Sequence, residues 1–294
     1  MNNLIQIQTE HHAPTRPPGA VEYSASGAQA LAHELRGQIE GEVRFDDGSR
    51  ALYATDGSNY RQVPIGVIIP KSKEDVVKTV AAAKRHGAPI VNRGGGTSLA
   101  GQGCNVAVLM DFSKYMHHVL EVDPEKKLGR VQPGCVLDDL RDAAQNAHQL
   151  TFGPDPATHR WCTLGGMLGN DSCGVHSIMA RLDGKGSRTA DNVEELEVLL
   201  YDGTRMNVGK TSDEELEKII QAGGRRGEIY AKLKALRDKY ADEIRARYPK
   251  IPRRVSGYNL DALLPENGFN VAAALVGSES TCVTILEATM QLIP

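Results

Sequence analysis

The chain has 294 residues, enough for one large domain or two lobes around a full core. Apolar residues make up 40% and charged residues 24%, the balance of an ordinary globular protein. The 37 acidic and 34 basic side chains leave a net charge of −3, which excludes a global attraction to nucleic acid or to an anionic membrane.

No apolar run approaches the ~18 residues of a membrane span, and the first residues lack the basic and apolar regions of a secretory leader. A cytoplasmic chain with small-molecule partners is therefore expected. Cys104, Cys135, Cys162, Cys173 and Cys282 are odd in number and widely spaced, which fits neither a disulfide framework nor a zinc or iron–sulfur ligand pattern. Free thiols and no metal site are expected.

Residues 1–44 read as an N-terminal arm, the first 30 or so being polar, Pro-containing and weakly patterned. His11 and His12 fall there and read as part of a solvated tail. A small α/β lobe is expected over 45–111. Ile65 to Ile69 is a short apolar strand closed by Pro70, and Ser72 stands three residues before Asp75 as a helix N-cap. Val76, Val77, Val80, Ala81 and Lys84 follow at helical spacing, Gly87 ends the helix, and Ile90 and Val91 form the next strand. Strand–helix–strand units bind ligands beyond the carboxyl ends of their strands, where Arg93 to Ser98 lie.

That second strand runs into Arg93-Gly-Gly-Gly-Thr-Ser-Leu-Ala-Gly-Gln-Gly. Glycines let consecutive backbone N–H groups converge on an anion, and Arg93 adds a fork-shaped donor suited to paired phosphate oxygens. Gly96 and Gly101 have the spacing of a P-loop, yet Gln102 and Gly103 follow where Lys and Ser or Thr belong, which argues against a nucleoside triphosphatase. The dinucleotide fingerprint fails as well, with Leu99 at its last glycine position. An internal pyrophosphate held by backbone remains, against the plainer reading of a tight connecting turn.

A third strand, Val106 to Met110, completes the small lobe, and a larger lobe is expected over 112–294. Val119 to Val122 and Leu128 to Gln132 flank the turn Asp123-Pro124-Glu125-Lys126 as a hairpin. Leu137, Leu140, Ala144 and Ala147 mark one face of a helix. Asp202-Gly203 joins Leu196–Tyr201 to Thr204–Val208 in a second hairpin. Residues 213–221 and 228–248 read as amphipathic helices, the second with a core stripe of Ile229, Leu233, Leu236, Tyr240 and Ile244. Val271 to Val276 and Thr284 to Leu292 read as apolar strands. The fold class is α+β in two lobes, a small α/β lobe and a larger mixed-sheet lobe, with the ligand in the cleft between them.

A second glycine segment lies in the larger lobe. Gly153-Pro-Asp-Pro-Ala-Thr is followed, after Thr163, by Leu-Gly-Gly-Met-Leu-Gly-Asn-Asp-Ser-Cys-Gly. Gly165, Gly166, Gly169 and Gly174 permit close approach of a flat ligand, with Thr163, Asn170, Asp171 and Ser172 as short polar groups around it. A flavin ring has that demand, with one hydrogen-bonding edge and one apolar edge.

These segments, with Asp191-Asn-Val and Val276-Gly-Ser-Glu, resemble the ordered motifs of the FAD-linked oxidase family, the p-cresol methylhydroxylase and vanillyl-alcohol oxidase type. The resemblance covers roughly residues 45–294. Within that family it points to the D-lactate dehydrogenase and glycolate oxidase flavin-subunit branch. Arg253-Arg-Val-Ser-Gly-Tyr-Asn-Leu and Cys282-Val-Thr-Ile-Leu-Glu-Ala-Thr look most like long members that append an iron–sulfur domain.

The resemblance implies FAD as cofactor, with Arg93, Gly94, Gly95, Gly96, Thr97 and Ser98 on the pyrophosphate. It puts Asp155, Pro156, Thr158, Thr163, Gly165, Gly166, Gly169, Asn170, Cys173 and Gly174 around the ring and ribityl chain. Val193 and Glu279 fall on the adenosine side, and Gln102 and Pro133 complete the cofactor set. Ser280 departs from the glycine usual in that motif. No His or Cys stands where some relatives attach flavin covalently, so dissociable FAD is expected, and a 4Fe-4S cluster only in a longer parent chain.

The implied activity is oxidation of a D-2-hydroxy acid, by hydride transfer to FAD and onward to an unidentified acceptor. In such proteins a cap domain after the flavin domain holds and deprotonates substrate; this chain ends at Pro294, where a cap would begin, so the catalytic half is expected to be missing. His86, His117, His118, His148, His159 and His176 are candidate bases by residue type alone, each reading more simply as a surface or structural histidine. His176 lies nearest the flavin motif in sequence. Arg160 and Trp161 lie between two cofactor motifs, the latter read as an apolar packing residue. A reductase resembling the UDP-N-acetylmuramate enzyme, or a nucleotide-binding scaffold without redox chemistry, are the competing readings.

Overall fold

The computed structural model describes residues 23–180 and 186–294, so His11 and His12 lie outside the described residues. Helix α1 (Ala25–Arg36) starts at Ser24, whose hydroxyl accepts from Gly27 N at 3.1 Å. Strand β1 (Glu42–Arg44), the short α2 (Asp47–Leu52), β2 (Gly66–Ile69), α3 (Lys73–Arg85), β3 (Ile90–Arg93) and β4 (Val108–Asp111) follow. They build a four-stranded sheet in the order β1-β2-β4-β3, with β2, β4 and β3 parallel and β1 an antiparallel edge. Every residue of β2 and β4 is buried, as continuous apolar runs in a covered parallel sheet must be. Ser72 caps α3 and Gly87, at φ +66°, ends it.

Residues 25–44 are therefore part of the small lobe rather than an arm. Leu31 and Leu35 of α1 are fully buried in the apolar cluster that contains Val76 and Val80 of α3. A helix that buries only Leu31, Ala32 and Leu35 carries too little periodicity to stand out in the sequence.

The larger lobe runs β5 (Val119–Asp123), β6 (Leu128–Val131), α4 (Leu137–His148), α5 (Leu164–Asn170), β7 (Val193–Leu199), β8 (Arg205–Gly209), α6 (Asp213–Ala222), α7 (Gly224–Arg247), α8 (Val271–Leu275) and β9 (Thr284–Gln291). Its five-stranded antiparallel sheet has the order β5-β6-β9-β7-β8. The last strand is thus inserted between the two hairpins, and Leu286, Ala288 and Met290 point into the core at alternate positions.

Three expectations give way here. Residues 271–275 are a helix, because the Asn270 side chain accepts from Ala273 N at 3.0 Å and three consecutive alanines favour the helical turn. On α7 the buried positions are Gly227, Tyr230, Arg237 and Ile244, while Leu236 and Tyr240 are exposed. Ala147 at the end of α4 is exposed too.

The lobes are joined along one side. Leu199 of β7 and Leu286 of β9 share the small lobe's apolar cluster. Glu197 and Glu287 face each other across β7 and β9, a like-charge pair that would repel, and Lys73 at the start of α3 binds both carboxylates. Asn92 Nδ2 donates to Thr284 Oγ1 at 3.2 Å. Beyond this seam the lobes part where β3 ends, and a cleft opens.

Candidate cofactor site

A cavity of about 400 Å³ fills that cleft, between the glycine loop of the small lobe and, in the larger one, residues 156–158, parts of 162–175, Arg253, Glu279 and Ser280. The loop leaves β3 at Arg93 and turns at Gly96, whose φ is +66°. Gly57 N donates to Gly96 O at 2.8 Å, and Asp56 accepts from Gly103 N at 3.0 Å, so residues 56–57 buttress the loop from outside. Among the described residues none accepts a hydrogen bond from the backbone N–H of Gly94, Gly95, Gly96, Thr97, Ser98 or Leu99. That is a run of donors without a partner among the described residues, open to the cavity and to water, and so available to an anion there.

Two glycines of the loop answer to protein contact instead. A Cβ on Gly94 would lie 1.9 Å from Thr163 Oγ1, and one on Gly95 would lie 2.0 Å from Trp161 O. The Arg93 guanidinium lines the cavity, but it donates to Gly103 O and to Thr55 O, each at 2.9 Å. The first bond ties the two ends of the loop together and the second fixes it to the chain before β2, so Arg93 braces the loop from the cavity wall.

The facing wall is α5 and the turn after it. Thr163 caps α5, Gly165 N donates to Pro133 O at 2.8 Å, and a Cβ on Gly165 would lie 2.7 Å from that oxygen. Gly169 differs: it lines the cavity, and a Cβ there would meet nothing within 4 Å. Asn170 and Ser172 are joined by a 2.6 Å hydrogen bond at the cavity edge, next to Cys173 and Gly174. At the far end Gln102 Nε2 donates to Glu279 Oε1 at 3.3 Å, and desolvation pushes that carboxyl above its usual value against the amide's pull.

Of the residues expected on cofactor grounds, all but Asp155 and Val193 line this one cavity. Val193 is buried in the larger lobe's core and pairs with Met290 across β9. The Asp155 carboxylate turns away to Arg141 Nη1 and His176 Nδ1, both at 2.9 Å. Burial raises its pKa, but the bonds from His176 and Arg141 outweigh this and hold it below the ordinary value. Asp171, expected to face a ligand, is 1% exposed and accepts from Ala190 N at 2.9 Å and Asn259 Nδ2 at 3.1 Å. Its burial pushes the carboxyl up, and it props the end of α5 from behind.

No histidine lines the cavity among the described residues. His176 is exposed on Asp155, His159 pairs with Asp138 at 2.7 Å, His86 with Glu34 at 2.8 Å and His118 with Gln132 at 2.9 Å. His117 packs on His118, His148 closes α4, and Arg160 and the exposed Trp161 lie outside the lining. All five cysteines are free; Cys162 and Cys173 line the cavity, and burial pushes the Cys162 thiol up. Sequence reading missed Arg253 and the exposed Leu99 and Val175 as lining residues. Arg253 had been singled out for resemblance alone.

The donor set fits a dinucleotide flavin: free amides for a diphosphate at one end, and a glycine-floored wall with short polar groups for a ring at the other. Residues 64–209 match the family model described as FAD binding domain, and the chain belongs to that family, with FAD as its cofactor. Among curated proteins, the D-2-hydroxyglutarate dehydrogenase of Pseudomonas putida is 33% identical over 260 residues, covering 87% of this chain and 25% of that protein. The glycolate oxidase subunit GlcD of Bacillus subtilis is 28% identical over 261 residues, covering 87% of this chain and 43% of that one. The chain spans about a quarter of the length of the D-2-hydroxyglutarate dehydrogenases it matches. An alkyldihydroxyacetonephosphate synthase structure shares the fold, with a TM-score of 0.61 at 18% identity over 95% of this chain and 45% of its own.

Proposed function

We propose that the chain is the FAD-binding part of an oxidoreductase acting on a D-2-hydroxy acid. The run of unpaired amides from Gly94 to Leu99 beside the interlobe cavity carries this reading. They hold the diphosphate, each bond to a charged acceptor contributing about 1.5–3 kcal/mol. Gly166 and Gly169 leave room for the ring, and Asn170 and Ser172 set its hydrogen-bonding edge. Gln102 closes the adenosine end. When bound, FAD supplies a two-electron acceptor for the carbinol carbon. The names of the hydroxy acid relatives support the substrate class. The base that takes the hydroxyl proton is assigned to the part of those relatives that this chain does not span, since no histidine lines the cavity among the described residues. No described helix is long and apolar enough to cross a membrane.

Titrating the purified apoprotein with FAD, followed by visible absorbance and flavin fluorescence, tests the reading. A Gly169→Leu variant is the control, because its side chain enters open space and leaves packing intact. The parent binds FAD, and the variant folds normally but loses at least about tenfold in affinity, or ~1.4 kcal/mol. A colourless parent that refuses FAD would leave the scaffold reading, and a variant that binds like its parent would move the flavin out of this cavity.

A further inference from the structure

Two segments that line the cavity from the larger lobe, 156–158 and 173–175, contain no buried residue. Apolar packing does not fix where they stand, so polar bonds must. Those bonds converge on Asp155, which itself lies outside the lining. Asp155 N donates to Ser177 Oγ at 2.9 Å, and its carbonyl lies so close to Gly174 that a Cβ there would come within 1.6 Å of the oxygen. Its carboxylate accepts from His176 Nδ1 and from Arg141 Nη1, each at 2.9 Å. One residue thus joins the chain entering the first segment to the chain leaving the second.

Behind this joint stands α4, which Leu137, Leu140 and Ala144 anchor in the larger lobe's core. Arg141 donates from it to Pro154 O at 2.9 Å and Phe152 O at 3.2 Å as well as to Asp155. Three residues earlier, on the same face of the helix, Asp138 binds His159 Nδ1 at 2.7 Å. The first segment is therefore tied to α4 at both ends, and the second reaches α4 by way of Asp155. The side chains of Arg141 and Asp155 are 18% and 27% exposed, sheltered enough for a charged, hydrogen-bonded pair to keep one geometry.

We infer that Asp155 is a positioning residue for the flavin: without touching the cofactor, it locks the two lining segments to each other and to α4, and so fixes the wall against which the ring lies. The inference rests on the flavoenzyme reading above. Parent, Asp155→Ala and Asp155→Asn are titrated with FAD, following the shape of the visible flavin band, and the urea midpoint of each apoprotein is measured alongside. Asp155→Ala binds FAD at least about tenfold more weakly and blurs the shoulders of the band, as a ring in a looser and wetter site does. Asp155→Asn, which keeps an acceptor for Arg141, falls between. Parent-like affinity and band shape in Asp155→Ala, whether or not its urea midpoint drops, overturn the inference and leave the joint merely structural. Where the Asp155 variants fail to fold, the exposed His176 decides. His176→Ala weakens FAD by about threefold or more, and His176→Gln, whose amide still donates to Asp155, recovers the affinity; parent-like binding in the first, or no recovery in the second, overturns the inference. A parent that takes no FAD sinks the flavoenzyme reading itself, whereas a parent that binds FAD no better than its variants sinks this inference alone.

Discussion

Gly95 and Gly169 carry the same side chain for opposite reasons. Gly95 lets the small lobe touch Trp161 O, whereas Gly169 leaves a space that nothing in the protein fills. Ser280 is the counterpart case, a residue with a Cβ held at φ +62° directly after Glu279 at φ +50°. The left-handed region costs an L-residue roughly 1–2 kcal/mol, and glycine gives back roughly 0.5–1 kcal/mol through its unfolded-state entropy. Ser280→Gly is therefore expected to stabilise the chain by about 0.5–1 kcal/mol, read as a higher urea midpoint; a lower midpoint would give the hydroxyl a holding role that its geometry does not suggest. The sequence marked Ser280 as a departure from the resembled motif, but the reason for glycine there is a backbone angle, which composition does not record. Asp171 faces away from the cavity for a related cause: residue type names the chemistry a group can do, not the direction in which it points. Arg253 entered only through a resembled motif, because nothing local in the sequence shows that an exposed arginine after a helix borders a cavity.

At the level of elements, strands with alternating or continuous apolar patterns and clear turns were legible, as β2, β3 and the Asp202-Gly203 hairpin demonstrate. Helices α1 and α8 were not, since α1 buries only Leu31, Ala32 and Leu35, and a helix of five residues carries the same apolar run as a five-residue buried strand. The edge strand β1 was also missed; its ladder to β2 and the packing of Val43 are backed by ion pairs at Glu42. Glu42 accepts from Lys114, from Tyr115 Oη at 2.8 Å and from Arg44 Nε at 2.7 Å. The Lys114 bond above all, with Tyr115 and Arg44 and against burial, lowers its carboxyl from 4.5 to about 2. A depressed folded value contributes stability that is complete above the unfolded value and is lost as pH falls from about 4.5 towards 2. Glu42→Gln is expected to cost about 1 kcal/mol at pH 7. The gap in urea midpoint between variant and parent narrows at pH 3; a gap of equal size at both pH values would locate the effect in packing instead.

Over the whole molecule, the two lobes are held by apolar contact at Leu199 and Leu286 and by Lys73 between Glu197 and Glu287, while the cleft between them stays open. The two-lobed α+β plan was readable from the order of strands and helices, and the cleft from the position of two glycine segments. What joins the lobes was not readable, because Lys73 and Glu287 lie far apart in sequence and no local pattern links them. The central claim is that the loop after β3 keeps its amides for a ligand. Hydrogen–deuterium exchange of the peptide spanning Gly94 to Leu99, with and without saturating FAD, tests it most directly. The account predicts rapid exchange in the apoprotein and strong slowing on FAD addition, confined to this loop and the residues facing it across the cavity. Bound flavin with unchanged exchange in the loop, or amides already protected before FAD is added, would contradict it.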